Sequence, residues 1–184
     1  RNRSRAYRAH PDFRVGAEWD FDRNKSTADC HVWLACDSAD LPREVGGSVR
    51  RNAQLYNMDA APYESLMVGL FKILCGRDND EAARGGLPKS TSIHFAYSRD
   101  GFHFDRPDRT PAILESDWGS GEWDTGYLSA CSSGFVIKDD RLWFFYTGLR
   151  GDACANKGGC SAVNGMHWNG AIGVATLRRD GFAG

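Results

Sequence analysis

Ser98-Arg99-Asp100-Gly101-Phe102-His103-Phe104 reads SRDGFHF, and Arg178-Arg179-Asp180-Gly181-Phe182 writes its centre again as RRDGF. Each copy follows a short β-rich run, Ile93–Ser98 (IHFAYS) before the first and Ile172–Leu177 (IGVATL) before the second. Asp-Gly supplies the positive φ that a tight reversal between strands requires. The repeated unit is therefore a strand followed by a turn, and the question is how far the repetition extends on either side.

Working outward, it extends over the neighbouring strands. Leu66–Leu74 (LMVGLFKIL) and Leu142–Thr147 (LWFFYT) are short apolar runs of strand length. Each is preceded by a turn signal, Tyr63-Glu64-Ser65 in one case and Lys138-Asp139-Asp140-Arg141 in the other. The letters match at an offset of 76 between Leu66 and Leu142, and of 80 between Asp100 and Asp180. Both copies give strand, tight turn, strand, polar loop, strand, Asp-Gly turn and the start of a further strand. A four-stranded antiparallel unit repeated in fixed order is a propeller blade, so the expected fold is all-β, built of β-propeller blades. On that reading Phe102 and Phe104 open the outermost strand and pack between blades. A β-sandwich would not need one strand order twice, and a β-trefoil repeats three times at a shorter period.

Residues 54–106 form one expected blade, and residues 107–184 a leading loop and a second. Residues 1–53 form a partial blade with an insertion holding Cys30 and Cys36. Glu18-Trp19-Asp20 ahead of the first copy echoes Glu122-Trp123-Asp124 ahead of the second. The whole chain reads as a single propeller-like domain or fragment, two blades plus part of a third. Its start at Arg1 and its stop at Gly184, just after a turn, suggest a processed chain or a piece of a longer protein.

Composition narrows the partners. With 184 residues, 41% hydrophobic and 26% charged, the chain has the makings of one folded domain. A net charge of -1 gives no general attraction to nucleic acid, and the basic run Arg1, Arg3, Arg5 and Arg8 reads as a solvated terminus or strand edge. No run is long and apolar enough to span a bilayer as a helix. The six cysteines contain no C-x-x-C, but Cys30/Cys36 and Cys154/Cys160 share a spacing that suits small disulfide loops. With the sequons at Asn2 and Asn24, they point to a secreted or lumenal location.

Other chemistry finds little footing. SRDGFHF is one residue short of a sialidase Asp-box. Gly85–Ser90 resembles a phosphate loop, but Pro88 stands where a glycine is needed. The five histidines have no ligand spacing, and His94 reads as a strand residue satisfied by a hydrogen bond. No metal site, cofactor or G-x-S-x-G nucleophile is expected.

Taken together, Tyr56-Asn57-Met58, Tyr63-Glu64, Gly69-Leu70, Phe95–Phe104 with Pro107, Leu142–Gly148 and Gly173–Phe182 resemble, in order and spacing, the five-bladed propeller glycosidase-like proteins of the arabinanase, invertase and levansucrase group. The resemblance covers the chain from about Asp20 to Gly184. It implies a carbohydrate held in a central funnel, and in hydrolytic members carboxylates acting as base or nucleophile, general acid and transition-state stabiliser.

Position sorts the acids. Glu64, Asp139, Asp140, Asp100 and Asp180 fall in turns, where a solvated carboxylate needs no special role. Asp20, Asp59 and Asp124 are the candidate catalytic residues, because they lie on or just before the innermost strands. Asp22, Tyr56, Asn57, Glu122, Trp123 and Tyr127 are the candidate substrate contacts, the aromatic rings as faces for a sugar. The innermost-strand position where the resemblance implies an acid holds Tyr56-Asn57 and Cys131-Ser132-Ser133 instead. Two readings follow: a glycoside hydrolase-like propeller using paired carboxylates, or a non-catalytic propeller that binds carbohydrate or joins another protein chain as a structural subunit.

Overall fold

The computed structural model describes residues 3–17, 30–40, 44–45, 48–49, 53–75, 89–113, 115, 122–124, 126–150 and 167–181. They form ten strands and one short helix: β1 Ser4–Tyr7, α1 Phe13–Ala17, β2 His31–Ala35, β3 Glu44–Val45, β4 Ser48–Val49, β5 Gln54–Tyr63, β6 Leu66–Cys75, β7 Ser90–Ser98, β8 Tyr127–Lys138, β9 Arg141–Leu149 and β10 Gly170–Arg178. All pairings are antiparallel, and the fold class is all-β. Two three-stranded sheets dominate, β5-β6-β7 and β8-β9-β10, with two-stranded sheets β1-β2 and β3-β4; none of them closes on itself.

The two main sheets are built alike. Tyr63 pairs with Leu66 across the two-residue turn Glu64-Ser65, and Lys138 pairs with Arg141 across Asp139-Asp140. The first residue of each turn lies at positive φ, Glu64 at 51° and Asp139 at 54°. Such turns match the right-handed twist of the strands they join. These equivalent residues are 75 apart, so the letter-matched offset of 76 is one residue too long. Leu66 closes its turn, whereas Leu142 is the residue after the one that closes the other.

The same correction applies at the other turn. Tyr97 lies opposite Val68 and Thr176 opposite Trp143, an offset of 79. It makes Gly101 (φ 75°) the counterpart of Asp180 (φ 59°), so the second DGF turn bends at its aspartate, not its glycine.

One residue decides which face is buried, because side chains alternate along a strand. Val68 and Leu70 of β6, with Ile93, Phe95 and Tyr97 of β7, face the second sheet and meet Leu142, Phe144 and Tyr146 of β9. The opposite face of the first sheet, with Phe71, Ile73, Cys75 and Ala96, packs against Leu34, Cys36 and Phe104. With the corrected offset, Phe71 corresponds to Tyr146, and Val68 and Leu70 to Trp143 and Phe145. Each sheet thus turns one kind of face towards the sheet before it and the other kind away from it. The arrangement is head to tail. β6 lies between two layers and is buried from Val68 to Cys75. Each large apolar side chain buried there contributes about 1.5–3 kcal/mol.

The DGF segments fasten each sheet to its predecessor. In the first, Asp100 Oδ1 accepts from the amides of Phe102 and His103, both at 2.8 Å, and shapes the loop. Phe102 stacks on Trp33 of β2 at 5.3 Å and meets Tyr7 of β1 edge-on at 5.0 Å, while its carbonyl accepts from Trp33 Nε1 at 2.7 Å. In the second, Asp180 accepts from Tyr63 Oη at 2.9 Å, and Arg179 donates to Glu64 at 3.0 Å, both at the tip of the β5-β6 hairpin.

Two expectations are corrected. Phe102 and Phe104 lie between sheets, but they do not open a regular fourth strand. Among the described residues, the chain returns to β7 at isolated bridges, Tyr97 with Asp105 and Ser92 with Glu115, and through the Ala112 amide, which donates to the Ile93 carbonyl at 2.7 Å. Pro107 and Pro111 interrupt the ladder between these points, since proline has no N–H to donate. The small loop between Cys30 and Cys36 is not formed either. Both are thiols, one just before and one just after the extended β2, about 20 Å apart at strand rise and far beyond disulfide reach. Cys154 and Cys160 lie outside the described residues.

Candidate functional site

A β-bulge between Leu55 and Asn57 takes Tyr56 out of the β5-β6 ladder. Its ring stands 4.7 Å from Nζ of Lys72, which projects from the middle of β6 and is only 3% exposed. Tyr127, at the start of β8, covers the other side, with its ring centre 4.5 Å away and its hydroxyl accepting from Nζ at 3.4 Å. The strand carrying Tyr127 is pinned by Thr91, whose Oγ1 donates to the Leu128 carbonyl at 2.9 Å and accepts from its amide at 3.0 Å. Arg3 approaches the Tyr56 ring at 5.6 Å, and His167 meets Tyr127 edge-on at 5.0 Å. An ammonium group between two phenol faces is held by the ring quadrupoles as well as by its hydrogen bond. Burial, with Tyr56 nearby, pushes the Tyr127 hydroxyl up to about 12 despite Arg3. Burial, then the cations Lys72 and Lys89, hold His167 below the ordinary histidine range.

A second cluster lies on the inward face of β9. Asp124 is 6% exposed and accepts a short 2.5 Å hydrogen bond from Tyr146 Oη. Trp123, 41% exposed, lies nearly parallel to the Tyr146 ring, with centres 6.1 Å apart and planes at 25°. Two glycines make room for this stack. A Cβ on Gly148 would collide with Asp124, and one on Gly173 would collide with the Tyr146 ring and lie 2.8 Å from Trp123 Cη2. The result is an indole seated on a buried Tyr-Asp pair, with Glu122 exposed beside it.

The remaining candidates are dispersed. Asp59 accepts from Asn57 Nδ2 at 3.0 Å, and burial raises its carboxyl despite that bond and nearby Arg5. Asp20 and Asp22 lie outside the described residues. Tyr127 is buried, so its ring offers no open face to a sugar. His94 Nε2 shares a 2.8 Å hydrogen bond with Ser92.

Three participants escaped the sequence reading. Lys72 had a visible signal, a lone charge inside the apolar run LMVGLFKIL. Tyr146 and His167 had none, because their partners come from distant strands. Comparison of the chain with protein-family models, curated proteins and solved structures finds no match.

Proposed function

We propose that this chain is a propeller-type stack of antiparallel modules that binds a carbohydrate without hydrolysing it, with the Trp123 indole as the platform. The observation that carries the reading is the Trp123-Tyr146-Asp124 stack. A rigid, half-open aromatic plane with a solvent-exposed carboxylate beside it suits a sugar ring, whose C–H face lies on the indole while its hydroxyls donate to Glu122. Asp124, the acid best placed by sequence, supports the platform from beneath instead of facing a substrate. The head-to-tail order of faces supports the propeller part of the reading, and the resemblance to the arabinanase, invertase and levansucrase group supports the ligand class.

The test is calorimetric titration with arabinan and levan oligosaccharides and with sucrose, alongside an assay for released reducing sugar. Wild type should bind one of them, Trp123→Ala should weaken that binding by about tenfold or more, worth about 1.4 kcal/mol, and no sugar should be released. Absence of binding, or binding indifferent to Trp123→Ala, defeats the proposal. The hydrolytic reading rests on Asp59, whose raised carboxyl suits a general acid. It predicts release of reducing sugar that Asp59→Asn abolishes.

A further inference from the structure

The face that β5-β6-β7 turns towards β1-β2 brings two thiols into one apolar cluster. On β6, Phe71, Ile73 and Cys75 alternate onto that face and are buried together with Leu55 and Ala96. Leu34 of β2, and Cys36 just beyond its end, pack against the same cluster. Cys36 is held there from its far side. Its thiol donates to the Asp40 carboxylate. Asp40 in turn is gripped by Arg106, whose guanidinium lies 5.6 Å from the centre of the Phe71 ring. Burial, then the charge of Asp40, push the Cys36 thiol up to about 12 despite Arg106, and the nearby Cys75 pushes the same way. Cys75 is the last residue of β6 and Cys36 the first after β2, so neither is fixed in the middle of a ladder.

We propose that Cys36 and Cys75, both thiols in this structure, are the two halves of one disulfide, formed by exchange with a small-molecule disulfide such as glutathione disulfide. Cys36, the less buried of the two, enters first. Its thiolate attacks one glutathione sulfur, a mixed disulfide forms, and the expelled glutathione thiolate takes up the proton that Cys36 gave up. The Cys75 thiolate then attacks the Cys36 sulfur. The Cys36–Cys75 bond forms, and the second glutathione leaves with the Cys75 proton. Two protein thiols are oxidised, and one glutathione disulfide is reduced to two thiols. The Cys36 thiolate is scarce near neutral pH, so exchange in the folded protein is slow and the bond, once made, serves structure. It closes a loop of about forty residues and fastens β1-β2 to the first main sheet by a covalent bond. The partner of Cys36 is thus the end of a distant strand, not Cys30.

The test is to incubate the protein with excess glutathione disulfide at about pH 8.5, where ordinary thiols are half ionised, until its mass stops changing. Remaining thiols are then blocked with N-ethylmaleimide, and the protein is digested without reduction for peptide mapping by mass spectrometry. The peptides containing Cys36 and Cys75 should appear joined, lighter than their sum by two hydrogens, and should separate on reduction. The oxidised protein should melt about 5–15 °C above the reduced one. Cys36→Ser and Cys75→Ala should each lose both the joined peptides and the shift in melting. The proposal is overturned if Cys36 and Cys75 end as thiols or as glutathione adducts, if either joins a different cysteine, or if both variants keep the shift. The wild-type peptide map decides the matter even if neither variant folds.

Discussion

Arg106 and Asp40 show what a single buried pair does here. The guanidinium donates twice to the carboxylate, at 2.7 and 2.5 Å, and both side chains are 4% exposed. Arg109 adds two 3.0 Å bonds to Asp37, so the residues after β2 are tied to the segment that leaves β7. Burial alone would raise the Asp40 carboxyl, but the Arg106 bond and charge outweigh it and hold it at about 2. A carboxyl depressed on folding contributes stability above its ordinary value and loses it as pH falls. Between about pH 4 and pH 2 the protein should lose about 2 kcal/mol from this group. Urea unfolding across that range checks it. Asp40→Asn should be less stable than wild type at pH 7 but lose less on acidification. None of this was legible in the sequence, where Asp40 and Arg106 are two charges 66 positions apart.

At the scale of the element, turns and strands were legible and register was not. The Glu64-Ser65 and Asp139-Asp140 turns fall where the polar pairs between apolar runs place them. Register slipped by one because Leu66 and Leu142 look alike while occupying different rungs. Matching letters cannot tell the residue that closes a turn from its neighbour. The interrupted edge beyond β7 was also hidden, since its ion pairs bring together distant segments. Local backbone carries its own prediction. Asp139 sits at φ 54°, which a β-branched residue resists. Asp139→Val should cost about 1–2 kcal/mol, whereas Asp139→Gly should stay within about 0.5 kcal/mol of wild type. Thermal unfolding of the two variants side by side separates backbone strain from loss of the carboxylate.

Across the whole molecule, the candidate site was half legible. Trp123 and Asp124 do come together, but on Tyr146, which no pattern in the sequence pointed to. Lys72 joins Tyr56 and Tyr127, and with its phenol partners it ties β5, β6 and β8 into one unit. Between β1-β2 and the first main sheet, Phe102 is one of the side chains that carry the contact. Phe102→Ala removes its contacts with both Trp33 and Tyr7 and should cost about 2 kcal/mol, less than a fully buried phenylalanine because its ring is partly in water. Denaturant midpoints measure the loss. Loss of the Trp33 fluorescence change ahead of the main transition would show β1-β2 detaching first.

The way each DGF segment grips the sheet before it also gives assembly a direction. Asp180 can bond Tyr63 only once the β5-β6 hairpin exists, and Phe102 can stack only on a β2 already in place. A chain emerging from the ribosome presents its segments in that order, and domains commonly fold as units from the N-terminal side during synthesis. Each new sheet therefore finds its docking surface ready, and the most apolar strand, β6, has a covering layer waiting on one side before the second arrives.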